Sequence, residues 1–160
     1  MKYSLFFSSL LLLFFVSCSR PGEGDVSGKV VKIADGDTFT LLTPRKREVK
    51  VRLAEIDAPE RGQPYGKASR QALSELVFGK EVRVKMVDTD RYGRLVGRVF
   101  QDKTDVNAEM VRLGAAWVYT KYNKDKSLIR VEKWARANRD GLWALPPEHL
   151  IAPWEYRKKK

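Results

Sequence analysis

The chain has almost none of the residues that thiol chemistry and histidine-based metal sites require. It contains one cysteine, Cys18, and one histidine, His149, among 160 residues. A single cysteine allows no intrachain disulfide, and it leaves no second thiol for a zinc site or a nucleophile elsewhere in the chain. A metal site built on several histidines is excluded in the same way. Any bound metal would therefore be held by oxygen ligands.

Long hydrophobic runs are also scarce. The one marked apolar stretch runs from Leu5 to Val16, and at about twelve residues it is shorter than the roughly 20 that cross a bilayer. Lys2 precedes it with a positive charge. Residues 1–18 therefore have the make-up of a signal peptide.

Cys18 ends this segment directly after Phe15-Val16-Ser17. A small residue before a cysteine resembles the lipobox of bacterial lipoproteins, in which the cysteine is lipidated, although Phe15 departs from the usual aliphatic residue. Lipidation of Cys18 predicts a membrane-anchored protein of the bacterial cell envelope. The alternative is ordinary cleavage near Ser17 to Arg20, which predicts a secreted or periplasmic protein.

Acidic residues are outnumbered, with 20 Asp and Glu against 31 Lys and Arg and a net charge of +11. Such a charge favours a polyanionic partner such as nucleic acid, or an anionic membrane face. A generally basic envelope protein has the same composition. The length suits one domain with one core, and we expect a monomer.

Residues 19–25 contain proline and two glycines and predict a linker. Beyond them the hydrophobic pattern predicts an α+β domain over residues 26–145, a five-stranded OB-type Greek-key β-barrel with three helices. Residues 146–160, which contain three prolines, are predicted to form an extended basic tail. The predicted strands are Val26–Ile33, Thr38–Leu42, Glu48–Ile56, Glu81–Val87 and Arg94–Phe100, and the predicted helices are Lys67–Phe78, Asp105–Leu113 and Ser127–Asn138.

Three clusters of acidic residues and arginines lie at the ends of these strands. Side chains in such positions are exposed on loops but oriented by a rigid scaffold. The clusters are Asp35-Gly36-Asp37-Thr38, Arg52 together with Asp57-Ala58-Pro59-Glu60, and Asp90-Arg91-Tyr92-Gly93-Arg94.

The residue types in these clusters suit phosphodiester chemistry. Asp37 and Asp57 are hard oxygen ligands of the kind that Ca²⁺ or Mg²⁺ prefers, and a carboxylate such as Glu60 can orient a water and accept its proton. Arg52 and Arg94 can bind phosphate oxygens through two hydrogen bonds each.

Each cluster also has an ordinary explanation. Asp35-Gly36-Asp37 is a common turn sequence, Glu60 could pair with the neighbouring Arg61, and an arginine on a strand is usually solvated. An EF-hand is excluded, because Phe39 and Lys46 occupy its fifth and twelfth positions.

Taken together and in this order, the clusters resemble one family, the staphylococcal-type thermonucleases. The resemblance spans about Val26 to Trp143. The matching stretches are Ile33-Ala-Asp-Gly-Asp-Thr38, Val51-Arg-Leu-Ala-Glu-Ile-Asp-Ala-Pro-Glu60, Asp90-Arg-Tyr-Gly-Arg94 and Val106-Asn-Ala-Glu-Met-Val-Arg-Leu-Gly114.

The resemblance implies a calcium-dependent endonuclease that cleaves DNA and RNA and leaves 3′-phosphate ends. It implies that Asp37 and Asp57 are calcium ligands, together with the backbone carbonyl of Ala58, and that Asp35 supports them without binding the ion directly. Catalytic roles fall on three further residues, with Glu60 as the general base and Arg52 and Arg94 as phosphate-binding arginines.

The resemblance also implies substrate contacts by Arg91 and Tyr92. Tyr122 matches one of two tyrosines that line the family's nucleotide pocket, while the other position is Thr120, with Tyr119 next to it. Simple packing of these rings at the barrel edge is the alternative.

Two other functions are compatible with parts of this pattern. One is a noncatalytic nucleic-acid-binding module of OB type, which would be expected to have lost the carboxylates or arginines. The other is a structural envelope lipoprotein, which needs the positive charge but not this set of acidic residues and arginines.

Overall fold

The computed structural model describes residues 24–159. The predicted signal peptide, Cys18 and most of the predicted linker lie outside the described residues. The strands are β1 (Val26–Ile33), β2 (Thr38–Leu42), β3 (Glu48–Leu53), β4 (Ile56–Asp57), β5 (Glu81–Thr89), β6 (Leu95–Gln101), β7 (Thr104–Asp105) and β8 (Trp117–Val118), and the helices are α1 (Gly66–Val77), α2 (Val106–Arg112), α3 (Lys126–Asn138) and α4 (Pro153–Lys158).

Five of the strands close into a mixed β-barrel. β1, β2 and β3 form an antiparallel meander, and β5 and β6 continue the sheet from the other side of β1. The barrel closes where β3 pairs in parallel with β6, with Val51 opposite Leu95 and Leu53 opposite Gly97. This closure confirms the predicted OB-type α+β fold.

Alternating apolar residues of the strands fill the barrel, as the period-two pattern predicts. Phe39, Leu41, Val51 and Leu53 are fully buried. The helices add to the same core, with Leu73 and Val77 of α1, Met110 and Val111 of α2 and Leu128 of α3 among its residues.

The third predicted strand is interrupted. β3 ends at Leu53, Glu55 has a positive φ of 66°, and the chain resumes as the short strand β4, which pairs with β8. A left-handed residue turns a strand sharply. The turn takes Asp57 out of the barrel wall and places it beside Trp117.

The sequence predicted an extended tail over residues 146–160, but the tail contains helices. Residues 147–149 form a short 3₁₀ helix and Pro153–Lys158 forms α4, and another 3₁₀ helix, residues 141–144, precedes the tail. Pro153 is the first residue of α4, where its fixed φ suits a helix and its missing N–H has no intrahelical partner to lose. Between residues 24 and 159, no helix is long and apolar enough to cross a membrane.

Candidate active site

The tip of the β1–β2 hairpin positions Asp37. The hairpin is closed by the Ala34 N–H, which donates to the Thr38 carbonyl at 2.9 Å, and the Asp37 N–H donates to Asp35 Oδ1 at 3.1 Å. Gly36 lies so close to Ser69 and Ala58 that a side-chain carbon there would overlap both. This tight packing fixes the hairpin tip against α1 and the start of the β4–α1 loop.

Arg52 connects the two predicted ion-binding carboxylates. It lies opposite Thr38 in the β2–β3 pair, and its Nη1 donates to Asp37 Oδ2 at 2.6 Å while its Nη2 donates to Asp57 Oδ1 at 2.8 Å. Asp37 and Asp57 are 4% and 0% exposed. Buried carboxylates are stable only when paired, and Arg52 is the group that pairs with both of them.

Arg52, Asp37 and Asp57 shift one another's pKa values. Burial alone would lower the pKa of Arg52, but Asp37 and Asp57 raise it above its ordinary value. Burial alone would raise the pKa of Asp37, but the Arg52 charge and the Ala58 N–H, 3.0 Å from Asp37 Oδ2, hold it below its ordinary value. Arg52 and Asp37 are therefore both charged at neutral pH.

The other two aspartates behave differently. Burial raises the pKa of Asp57, against the opposing effect of hydrogen bonds from Arg157. Burial and repulsion from Asp37 raise the pKa of Asp35 to about 7. Asp35 therefore adds less than a full negative charge to the hairpin tip near neutral pH.

Glu60 lies at the rim of this site, on the loop between β4 and α1. Its backbone N–H donates to the side chain of Gln63 at 3.1 Å, and its own side chain is 34% exposed. A carboxylate in this position is oriented by the loop and still reaches solvent. This combination is what a group that orients a water requires.

A residue that sequence reasoning missed also reaches the carboxylates. Arg157 of α4 donates through Nη2 to Asp57 Oδ2 at 2.6 Å and through Nη1 to Glu60 Oε1 at 2.7 Å. No periodicity or motif of the tail predicts these contacts. The only signal was the concentration of basic residues at positions 157–160.

Arg94 reaches the site from the β5–β6 turn. Its Nε donates to Asp90 Oδ2 at 2.7 Å, and its Nη1 lies 3.4 Å from Thr38 Oγ1. Thr38 in turn donates to Asp37 Oδ1 at 2.8 Å, so hydrogen bonds connect Arg94 to the buried carboxylates. Arg91 and Tyr92 are exposed in the same turn, with the Arg91 guanidinium 4.9 Å from the Tyr92 ring centre.

The predicted nucleotide-pocket residues lie on the segment after β8. Thr120 and Tyr122 are exposed, and Tyr122 packs edge-on against Tyr119 with ring centres 4.8 Å apart. Trp154 of α4 stacks on Tyr119, with ring centres 5.0 Å apart and an interplanar angle of 1°. Tyr119, which did not match the family position, is thus the ring that makes the face-to-face contact.

The donor set fits a hard cation in its chemistry, because Asp37 and Asp57 offer carboxylate oxygens and a backbone carbonyl such as that of Ala58 can add another. The Arg157 guanidinium on Asp57 shows that this carboxylate accepts a cationic partner from the solvent side. Within residues 24–159, no group of three or more His, Cys, Asp or Glu side chains is arranged to hold a metal ion.

A small closed barrel whose rim joins buried aspartates to arginines is a scaffold for phosphate chemistry. A family model described as "Staphylococcal nuclease homologue" matches residues 50–145. The chain belongs to this family. Arg52, Asp57, Glu60 and Arg94 lie within the matched residues, whereas Asp37 precedes them.

Similar proteins cover nearly the whole chain. An "Uncharacterized endonuclease" of Haemophilus influenzae is 43% identical over 155 residues, which is 96% of this chain and 84% of that protein. "Protein ParB" of Escherichia coli is 39% identical and covers 99% of this chain and 93% of its own length. A "Micrococcal nuclease" of Shigella flexneri is 42% identical and covers 88% of this chain and 85% of its own length.

Proposed function

We propose that this protein is a calcium-dependent endonuclease that hydrolyses phosphodiester bonds of DNA and RNA and leaves 3′-phosphate ends. The family and the names of its relatives support the coarser statement, an endonuclease. The observation that carries the proposal is the joining of Asp37 and Asp57 by Arg52, with Glu60 at the rim.

Asp37, Asp57 and the carbonyl of Ala58 would hold the ion. When bound, the ion would offset the negative charge of a phosphate, which otherwise repels an attacking oxygen. Two carboxylates and one carbonyl leave room for water and substrate oxygens, because Ca²⁺ takes about six to eight ligands. Asp35 would contribute through its hydrogen bond to the Asp37 N–H and not by binding the ion.

Glu60 would orient the attacking water and take its proton. Hydrolysis adds the water oxygen to phosphorus and breaks the bond to the 5′ oxygen, which takes a proton from solvent. The phosphate therefore remains on the 3′ side, and the other fragment ends in a 5′ hydroxyl. Arg52 and Arg94 would bind the non-bridging oxygens, where negative charge develops. Arg91 and Tyr92 would contact the flanking nucleotide, and Thr120 and Tyr122 would line its pocket.

A calcium titration of cleavage tests this proposal. Single- and double-stranded DNA and RNA are incubated with the protein at increasing Ca²⁺ concentrations, and the ends of the products are identified. We expect cleavage that rises with Ca²⁺, stops with a chelator and leaves 3′-phosphates. Binding without cleavage at any Ca²⁺ concentration would favour the noncatalytic module instead.

The Glu60→Gln variant tests the assigned base. General-base catalysis contributes about 10²–10⁴-fold, so cleavage should fall by that factor while the thermal unfolding temperature stays close to that of the parent chain. Glu148→Gln is a matched control, because Glu148 is an exposed glutamate within the 3₁₀ helix of residues 147–149. Equal activity of the two variants would contradict the role of Glu60.

We also propose that the protein is a monomer anchored in the bacterial cell envelope through a lipid on Cys18. The lipobox-like sequence before Cys18 supports this location. Labelling with a radioactive fatty acid should mark the parent chain and not a Cys18→Ser variant. An unlabelled parent would favour secretion without an anchor, and a labelled Cys18→Ser variant would show that the lipid is attached to another residue.

A further inference from the structure

The C-terminal segment, residues 150–159, lies across the candidate active site. The Ile151 carbonyl accepts a hydrogen bond from the Gln63 side chain, and the Tyr156 hydroxyl donates to the Gly62 carbonyl at 3.0 Å. Both partners belong to the loop that carries Glu60. The segment follows residues 50–145, which match the family model.

We propose that this segment is an autoinhibitory strap, in which Arg157 blocks the catalytic carboxylates and Trp154 covers Tyr119, beside the proposed nucleotide pocket, until ion and substrate displace them. The proposal rests on the calcium-dependent function given above. Its first support is the set of contacts that Arg157 makes with Asp57 and Glu60.

Arg157 uses the carboxylate oxygens that the proposed chemistry needs. Its guanidinium lies 2.6 Å from Asp57 Oδ2 and 3.2 Å from Asp57 Oδ1. A calcium ion binds oxygen at about 2.3–2.6 Å, so it would compete for the same lone pairs and would be repelled by the guanidinium charge. Asp57 already accepts hydrogen bonds from Arg52 and Arg157, so an ion that binds Oδ2 would have to displace Arg157.

The same arginine also masks the proposed base. Arg157 Nη1 donates to Glu60 Oε1 at 2.7 Å, so it occupies an oxygen that would otherwise be free to bind the attacking water. A single side chain thereby interferes with ion binding at Asp57 and with water activation at Glu60.

Trp154 makes a matching contact on the substrate side. Its ring stacks on Tyr119 and meets Trp117 edge-on, with ring centres 6.0 Å apart. A nucleic-acid base binds aromatic side chains by the same face-to-face stacking, so Trp154 occupies a surface that a base could use. Residues 154 and 157 are three apart on one helix and therefore project from the same side.

The ion pair of the strap is open to solvent on one side. The Arg157 side chain is 40% exposed, whereas its partner Asp57 is buried. Residues 157–160 are all basic, so a nucleic-acid phosphate offers them another anionic partner at the moment when substrate arrives. Substrate binding would then favour release of the segment.

Calorimetric titration of Ca²⁺ into the full chain tests the competition. Arg157→Gln removes the charge, and it should bind Ca²⁺ about three- to tenfold more tightly than the parent chain. Lys158→Gln is the matched control, because Lys158 neighbours Arg157 on α4 but pairs with Glu155, and its Ca²⁺ affinity should equal that of the parent. Unchanged or weaker binding by Arg157→Gln overturns the proposal.

Hydrogen–deuterium exchange tests the displacement without any measurement of activity. Saturating Ca²⁺ with a non-cleavable oligonucleotide should increase exchange at the backbone amides of residues 154–159 in the parent chain. In Arg157→Gln, exchange of these amides should already be high without Ca²⁺. If exchange in the parent chain does not change on adding Ca²⁺ and oligonucleotide, the segment stays in place and the proposal of a strap is wrong.

The outcomes separate this proposal from the proposed function. If neither protein binds Ca²⁺, the calcium assignment and the competition both fail. If both bind Ca²⁺ equally and both cleave DNA, the competition alone fails. If Arg157→Gln binds Ca²⁺ normally but cleaves more slowly at saturating Ca²⁺, Arg157 is a phosphate ligand, and the blocking role is wrong.

Discussion

Arg52 Nη1 lies 2.6 Å from Asp37 Oδ2, across a pair of strands in which residue 52 directly opposes residue 38. The strand register therefore sets the position of the guanidinium, and the second half of the same guanidinium reaches Asp57. The strand pairing and the ion pairs place the Arg52 guanidinium in the same position, between Asp37 and Asp57. Arg52 is therefore a structural as well as a proposed catalytic residue.

Arg52→Met should therefore destabilise the fold strongly. Removing one partner of a buried ion pair leaves the other charge uncompensated, at a cost of about 3–5 kcal/mol in the free energy of unfolding. Urea denaturation measures this loss. Arg83→Met is the matched control, because Arg83 is also a strand arginine paired with an aspartate, Asp25, but is 46% exposed, and its loss should be about 1 kcal/mol or less.

Equal losses in the two variants would mean that the Arg52 contacts contribute no more than an exposed ion pair. The activity of Arg52→Met would then report on phosphate binding alone. With the expected difference in stability, its activity has to be measured well below the denaturation midpoint.

Gly36→Ala should disturb the position of Asp37. An added Cβ would lie 2.8 Å from the Cβ of Ala58 and would overlap Ser69, whose hydroxyl is engaged with the Ala115 carbonyl at 2.7 Å. Overpacking of this kind costs about 1–3 kcal/mol. Urea denaturation should show that loss, and cleavage should fall further than the loss of folded protein explains.

Gly62→Ala is the control for this prediction. A Cβ at residue 62 would have only the Tyr156 hydroxyl, at 3.4 Å, as a near neighbour, so its effect on stability should be small. A Gly36→Ala variant as stable and as active as Gly62→Ala would show that the hairpin tip can move without affecting Asp37.

The barrel could be predicted from the sequence because its strands alternate apolar and polar residues and Gly79 and Gly114 follow helices that present one apolar face. The meeting of Asp37 with Asp57 could be predicted only through the family resemblance, since no local pattern connects residues 20 positions apart. The break at Glu55 could not be predicted, because glutamate has no preference for a positive φ.

The contacts of the tail could not be predicted either, and the reason is different. Arg157 contacts Asp57 across 100 residues of sequence, and the tail has no hydrophobic periodicity that would indicate a helix or its packing face. The three prolines predicted an extended tail, yet Pro153 begins a helix. Only the folded arrangement shows which carboxylates the basic residues of the tail meet.

The stability contributed by Asp125 should depend on pH. Asp125 is the N-cap of α3, and hydrogen bonds from Ser127 hold its pKa below the ordinary value. A lowered pKa in the folded protein means that the carboxylate stabilises the fold above the ordinary aspartate pKa of about 3.9. This contribution is lost as pH falls through the lowered pKa of the folded state.

Two variants separate the charge of Asp125 from its capping hydrogen bond. Asp125→Ala should lower the free energy of unfolding by about 1 kcal/mol at pH 7, because alanine cannot cap a helix. Asp125→Asn keeps a capping oxygen, so it should lose less free energy of unfolding at pH 7 than Asp125→Ala. This loss should shrink towards zero in acid. Urea denaturation at several pH values measures both, and a pH-independent deficit for Asp125→Asn would contradict the lowered pKa.

Arg94→Ala should weaken phosphate binding without loss of the fold. Arg94 is 24% exposed and is held by Asp90 at the barrel rim. Loss of one charge-stabilising donor costs about 10²–10³-fold in turnover, and loss of one phosphate contact should reduce the slope of log K against log salt by about one.

Salt-dependent binding to a DNA oligonucleotide, measured in a chelator so that no cleavage occurs, determines this slope. Arg112→Ala is the matched control, because it removes the same charge from an arginine that pairs with Glu109 on α2, away from the carboxylates. An unchanged slope for Arg94→Ala would show that Arg94 does not contact phosphate in the bound state. A slope equally reduced in Arg112→Ala would show instead that the effect follows net charge and not position.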